Sequence, residues 1–149
     1  MEPGSLERHP PDRRGVLLAG VAYTLGVFVV AFAVGAVRVT LLAPRIGPTA
    51  AVALEAPVVL SVSWWLSGWS TRRFRVAHES ATRISMGLAA FALLMILELA
   101  IATLVFGEGL DAYLARFATV PGLLGLATQL AFAAVPWIQA RRDSAGRQS

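Results

Sequence analysis

The sequence predicts an all-α integral membrane protein: a four-helix bundle with both termini cytoplasmic and a short interfacial helix before the fourth span. Three observations predict it. Residues 16–37, 49–71, 84–107 and 118–140 are apolar runs, and only Glu55 and Glu98 carry charge inside them. Each run is long enough to cross a bilayer, which takes roughly 20 residues. Hydrophobic residues make up 56% of the chain and charged residues 15%, whereas a soluble domain is about a quarter charged. The basic residues are also unevenly placed. All 13 are arginine: ten fall in the N-terminal tail, the connection between spans two and three and the C-terminal tail, and three (Arg38, Arg45, Arg116) in the other two connections. Arginine concentrates in cytoplasmic loops, so both termini are expected inside.

The elements follow in order. Residues 1–14 are polar, with Pro3, Pro10 and Pro11, and are expected to be a disordered cytoplasmic tail. The membrane domain is expected over residues 15–140, and a second disordered cytoplasmic tail over 141–149. Span one is expected over 16–40. Its uncharged run of 22 residues exceeds a secretory h-region of roughly 7–15 residues, so Arg13-Arg14 and the run after it are read as a retained span and not a cleaved signal. The helix is expected to end near Ala43, because Pro44 disfavours helical geometry in the residue before it. Ala22/Gly26 and Ala31/Gly35 are small pairs four apart, suited to close helix approach in lipid. Pro44, Gly47 and Pro48 punctuate a turn.

Span two is expected over 49–70. Pro57 removes one backbone donor within it, which favours a bend. Trp64, Trp65 and Trp69 near its end fit an interfacial anchor. Span three is expected over 84–106. Leu110, Tyr113, Leu114 and Phe117 then fall at i, i+3, i+4 and i+7, which places them on one face of a short helix in the interface. Thr119-Val120-Pro121 marks a helix start with proline in the first turn, and span four is expected over 119–140.

The charges inside the membrane are the candidate site. An ionisable group at the centre of a membrane helix costs about 2.5–3.5 kcal/mol on insertion scales. Counting 1.5 Å per residue, Glu55 lies about 8 Å, Glu98 about 12 Å and Gln129 about 15 Å below the outer surface. Arg38 ends span one at the same surface, and Arg45 follows it on the turn. Arg38, Arg45, Glu55, Glu98 and Gln129 are thus expected to converge on one level as a ligand-binding or structural polar cluster. A carboxylate paired with arginine there locks helices together; one left without a counter-charge can carry a proton or bind a cation.

Other chemistry is thinly represented. Without cysteine there is no disulfide, thiolate nucleophile or cysteine metal site. His9 and His78 lie in polar flanks without evident co-ligands, so no metal site is expected. No Ser/His/Asp trio, phosphate-cradling glycine loop or zinc-spaced helical histidine pair is present; no catalytic residue and no cofactor are expected. The arginines form no stripe interleaved with stacking aromatics, which argues against nucleic acid despite a net charge of +4.

The stretch from Gly35 through Arg38, Pro44, Arg45 and Gly47, followed by Glu55-Ala56-Pro57, resembles a family of small four-span bacterial inner-membrane proteins. The resemblance is strongest over spans one and two and looser at Glu98. It implies a bacterial inner-membrane location and no activity. The expected role is that of a non-enzymatic membrane protein in which the cluster acts as a clasp, an accessory or oligomerising subunit whose partners are the lipid bilayer and either its own copies or a larger membrane complex. The alternative is a small transporter or channel subunit binding a proton, a cation or a small polar ligand at Glu55 and Glu98.

Overall fold

The computed structural model describes residues 13–146, and its regular structure is helical throughout that range. Helix α1 (Arg13–Val37) passes through a π-helical turn (Arg38–Leu42) into the short α2 (Ala43–Ile46). Helix α3 (Pro48–Arg73) follows, then α4 (Ser80–Leu104). The short α5 (Leu110–Ala115) and a 3₁₀ turn (Arg116–Ala118) lead into α6 (Val120–Ala145). Most of the expected N-terminal tail, with His9, and the last three residues, with Arg147, lie outside the described residues.

Four segments are long and apolar enough to span a membrane: Arg13–Ile46, Pro48–Arg73, Ser80–Leu104 and Val120–Ala145. The shortest has 25 residues, which gives about 37 Å against a hydrocarbon core of about 30 Å. Together they make this a chain with the architecture of a multi-pass membrane protein.

The ends of spans one and four differ from the sequence expectation, while Pro57 lies inside span two, where the sequence put it. Helical structure does not stop ahead of Pro44. The ring of a proline clashes with the carbonyl four residues back, and here the wider π turn, with Ala43 N–H donating to Arg38 O, precedes Pro44 and leaves it in the first turn of α2. The chain breaks three residues later at Gly47, whose φ of 81° suits glycine. Helix α3 likewise continues on both sides of Pro57. At the other end, α6 extends to Ala145 where a disordered tail was expected from 141. Arg141 lies over the Trp137 ring at 4.5 Å, Arg142 lies over Trp64 at 5.0 Å, and Ser144 donates to Ala140 O at 2.9 Å. Cations in a last turn also suit the helix dipole.

Helix α1 packs on α3 and α4, and α6 packs on the same two, so α1 and α6 are diagonal. Tyr23 crosses that diagonal: its ring stacks on Phe132 at 4.5 Å and its hydroxyl donates to Phe132 O at 2.8 Å. Around them are Ala19, Val27, Met86, Ala90 and Leu94. The interior is rich in small and hydroxyl side chains, among them fully buried Thr24, Ser63, Ser67 and Ser70, while Leu88, Ile96 and Leu104 are exposed at 62%, 63% and 84%. Large apolar groups outside and small polar ones inside is the arrangement that lipid selects, because lipid supplies no hydrophobic force between helices. Thr24, Ser63 and Ser70 donate within their own helices, to Gly20 O, Val59 O and Ser67 O, while Ser67 donates across to α6. Gly87 makes the α4–α6 contact close, since a Cβ there would collide with the Ala133 carbonyl.

The short helix before the fourth span is present as α5, with only part of the expected face turned inward. Tyr113 is buried and meets Phe117 edge-on at 5.4 Å, while Leu110 and Leu114 are each 56% exposed. Thr119 caps α6 as its sequence suggests, its hydroxyl accepting from Gly122 N–H at 3.1 Å.

Candidate functional site

Glu55 belongs to a stripe on α3. Ala51, Val59, Ser63, Ser67 and Thr71 are buried at a spacing of four, and Glu55 occupies the vacant place in that series. Residues four apart share a helix face, so the carboxylate is turned toward the helices and away from lipid. Arg38 meets it from the start of the π turn: Arg38 Nε and Glu55 Oε2 form an ion pair, with side-chain exposures of 28% and 16%. Gly35, one turn earlier, adjoins the pair: a Cβ there would lie 3.6 Å from Glu55 Oε1 and 4.0 Å from Arg38 Nη2, ordinary contact distances. The small residue noted in the sequence thus flanks the polar pair.

Glu98 occupies the same kind of position on α4, four residues from buried Leu94 and four from buried Ala102. Its partner is the Gln129 amide of α6, whose Nε2 donates to both carboxylate oxygens at 2.7 and 2.8 Å. Gln129 lies three residues before the buried Phe132 and so comes from the inner face of α6. Its Oε1 is buried with no donor among the described residues. Glu55 lies seven residues after the start of α3 and Glu98 six before the end of α4, so by the rise along each helix the two pairs share one level near the Gly47 end. Tyr113 above this level has its hydroxyl pKa pushed up, first by burial and then by the charge of Glu98, with Arg116 opposing.

The expected five-residue cluster is therefore two pairs. One joins α1 to α3 across Arg38–Glu55, the other joins α4 to α6 across Glu98–Gln129. Arg45 belongs to neither. Its Nη1 donates to Leu41 O at 2.6 Å, one turn back on its own segment, and its side chain is exposed. Four residues separate Arg45 from Leu41, so the guanidinium sits over that carbonyl and consolidates the turn around Pro44. Glu55 is already neutralised by Arg38.

Three further groups escaped the sequence reading. Gln139 bridges α6 to α3, with Ser67 Oγ donating to Gln139 Oε1 at 2.8 Å and Gln139 Nε2 donating to Trp64 O at 2.7 Å. Its one signal was its type, a second glutamine inside the apolar run of span four. His78, read as lacking partners, meets Asp143 at 3.5 Å. Arg83, read as a loop residue, is inside α4 and only 3% exposed.

No family model, no curated protein and no solved structure matches this chain. The arrangement itself can neutralise charge, hold helices in register or hold a small polar guest. Among the described residues no three His, Asp or Glu side chains come together to hold a metal ion.

Proposed function

We propose that the protein is a non-enzymatic subunit of the bacterial inner membrane, a four-helix bundle with both termini cytoplasmic, in which the two polar pairs act as clasps. The observation that carries this is their division of labour. Each pair bridges a different helix interface at one level, so together they fix α1 on α3 and α4 on α6. The orientation rests on the ten-to-three division of arginines. The likeness to small four-span bacterial proteins supports the location and no more. A membrane domain this small fits an accessory or oligomerising role.

A double-mutant cycle tests the clasp. Arg38→Gln and Glu55→Gln should each lower thermal stability in detergent. The double variant should recover part of the loss, with a coupling of about 1 kcal/mol, within the 0.5–3 kcal/mol seen for residues in contact. Additive losses would remove the clasp reading.

One observation favours a second reading, a transporter or channel subunit. Among the described residues, Gln129 Oε1 is a buried acceptor without a donor, beside the Glu98 carboxylate, whose partner is an amide rather than an arginine. Those atoms would suit a proton donor or a small cation. On that reading Glu98→Gln leaves stability intact and abolishes cation or proton flux in proteoliposomes; on the clasp reading it lowers stability and no wild-type flux exists to lose.

A further inference from the structure

At the end of the bundle where α1 begins and α6 ends, α3, α4, α6 and the 74–79 connection border an open cavity of about 680 Å³. Arg72, Arg75, Arg83 and Arg142 all line it, with Asp143 the acidic residue in its wall. Asp143 already meets His78. Glu79, at the start of α4, does not line the cavity. The lining is therefore strongly cationic, and like charges around one space repel unless an anion joins them.

Two features single out arginines of this lining. Arg83 is buried, its Nε donating to Ala77 O at 2.9 Å and its Nη2 to Val76 O at 3.3 Å. A guanidinium has five N–H donors, so three of them have no acceptor among the described residues. Arg75 stands at φ 51°. Arg75 N–H donates to Arg72 O at 3.3 Å and Val76 N–H to Thr71 O at 3.0 Å. This is the helix-ending motif whose left-handed residue is usually glycine. An arginine at such a place stores backbone strain, a pattern concentrated at functional sites.

The depth suits a lipid headgroup. Arg72 lies about 36 Å along α3 from Pro48, beyond a hydrocarbon core of about 30 Å. Trp64 borders both this cavity and a shallow patch of the α3 surface formed by Pro57, Leu60 and Ser61, on the side of Trp64 toward the membrane centre. Arg142 lies over the Trp64 ring at 5.0 Å, at the junction of the two.

We propose that the cavity binds the phosphate group of an anionic phospholipid, with Arg72, Arg75, Arg83 and Arg142 as its ligands. Basic pockets between membrane helices recognise phosphate headgroups through charge and multiple N–H donors. The position at headgroup depth, beside the exposed apolar surface of α3, favours a lipid over free phosphate. This goes beyond the clasp, uses different residues, and holds whichever role the Glu98 pair has.

The test is thermal unfolding of the full chain in neutral detergent, titrated with phosphatidylglycerol, phosphatidylcholine or inorganic phosphate. A ligand that binds the folded state raises the melting temperature by mass action. Phosphatidylglycerol should stabilise at concentrations where the other two do nothing. Arg72→Gln and Arg142→Gln should each weaken its apparent affinity about fivefold, since an arginine at a headgroup contributes about a kcal/mol. Arg73→Gln should leave it unchanged, because Arg73 adjoins Arg72 in sequence but does not line the cavity. Arg83→Gln removes two loop hydrogen bonds as well, so the exposed Arg72 and Arg142 carry the test. Equal stabilisation by inorganic phosphate overturns the lipid assignment. Equal losses in Arg73→Gln, or equal stabilisation by phosphatidylcholine, overturn the site.

Discussion

The two polar regions of this protein treat charge in opposite ways. At the Gly47 end, Arg38 has Glu55 and Glu98 has Gln129, and each partner comes from a different helix. At the end where α1 begins and α6 ends, four arginines face one cavity with one acid in its wall. A charge well inside the membrane is expensive unless it is matched. A charge at headgroup depth can stay unmatched because water and anionic lipid supply the counter-charge. The difference teaches that pairing marks where the protein must satisfy itself, and surplus marks where it relies on its surroundings.

The largest expected effect separates the two ends by removing one charge from each. Glu55→Leu leaves Arg38 without its partner. Breaking a fully buried pair costs about 3–5 kcal/mol; Arg38 keeps 28% of its side chain exposed and can shift toward the surface, so about 2 kcal/mol is expected. Arg72→Leu removes a like-charge neighbour from the cavity and should change intrinsic stability in neutral detergent by less than about 0.5 kcal/mol, as surface substitutions do. Chemical denaturation of both variants in one detergent measures the contrast. Comparable losses would mean that the two regions do not differ in kind.

What the sequence disclosed divides along the same line. The four spans were legible because apolar runs of about 20 residues with at most one charge are rare outside a bilayer, and the inward stations of Glu55 and Glu98 followed from the cost of placing them in lipid. Depth arithmetic brought Arg38, Glu55, Glu98 and Gln129 to one level. It could not assign partners, because depth says nothing about which helix neighbours which: Glu98 meets an amide because α6 lies beside α4 and diagonal to α1, and Arg45 bends back onto Leu41. The fourth span ran longer than its apolar segment because Arg141 and Arg142 rest on tryptophan rings, a contact invisible to hydropathy. Arg83 was missed for a similar reason. A basic residue at the edge of an apolar run reads as solvated loop, and only the fold of residues 74–79 over it makes it buried.

The middle effect concerns the pair without formal counter-charge. Glu98→Leu leaves the Gln129 amide N–H groups unpaired on the inner face of α6. Interhelical hydrogen bonds in membrane proteins average about 0.6 kcal/mol and reach about 1.7 kcal/mol, and Glu98 accepts the amide with both oxygens. A loss of about 1 kcal/mol is expected, below that of Glu55→Leu. Glu98→Gln should cost less, since an amide can still accept from Gln129. A loss larger than that of Glu55→Leu would reverse the ranking of the two pairs and make the Glu98 site the one that holds the helices together.

The smallest effect has the opposite sign and belongs to the cavity. Arg75→Gly relieves a left-handed backbone position, worth roughly 1–2 kcal/mol for a residue with a Cβ, and concedes roughly 0.5–1 kcal/mol of glycine entropy. The net expectation is a gain of roughly 0.5–1 kcal/mol in neutral detergent, with weaker stabilisation by phosphatidylglycerol. At Gly107, which ends α4 at φ 67°, the chain already uses glycine, and Gly107→Arg should be destabilising there with no gain in lipid response. A variant that becomes more stable while losing its ligand would show that Arg75 is kept for the anion and not for the turn. If Arg75→Gly instead lowers stability without lipid present, the guanidinium holds the loop itself, and the contrast between a self-satisfied end and a ligand-dependent end loses its support at that residue.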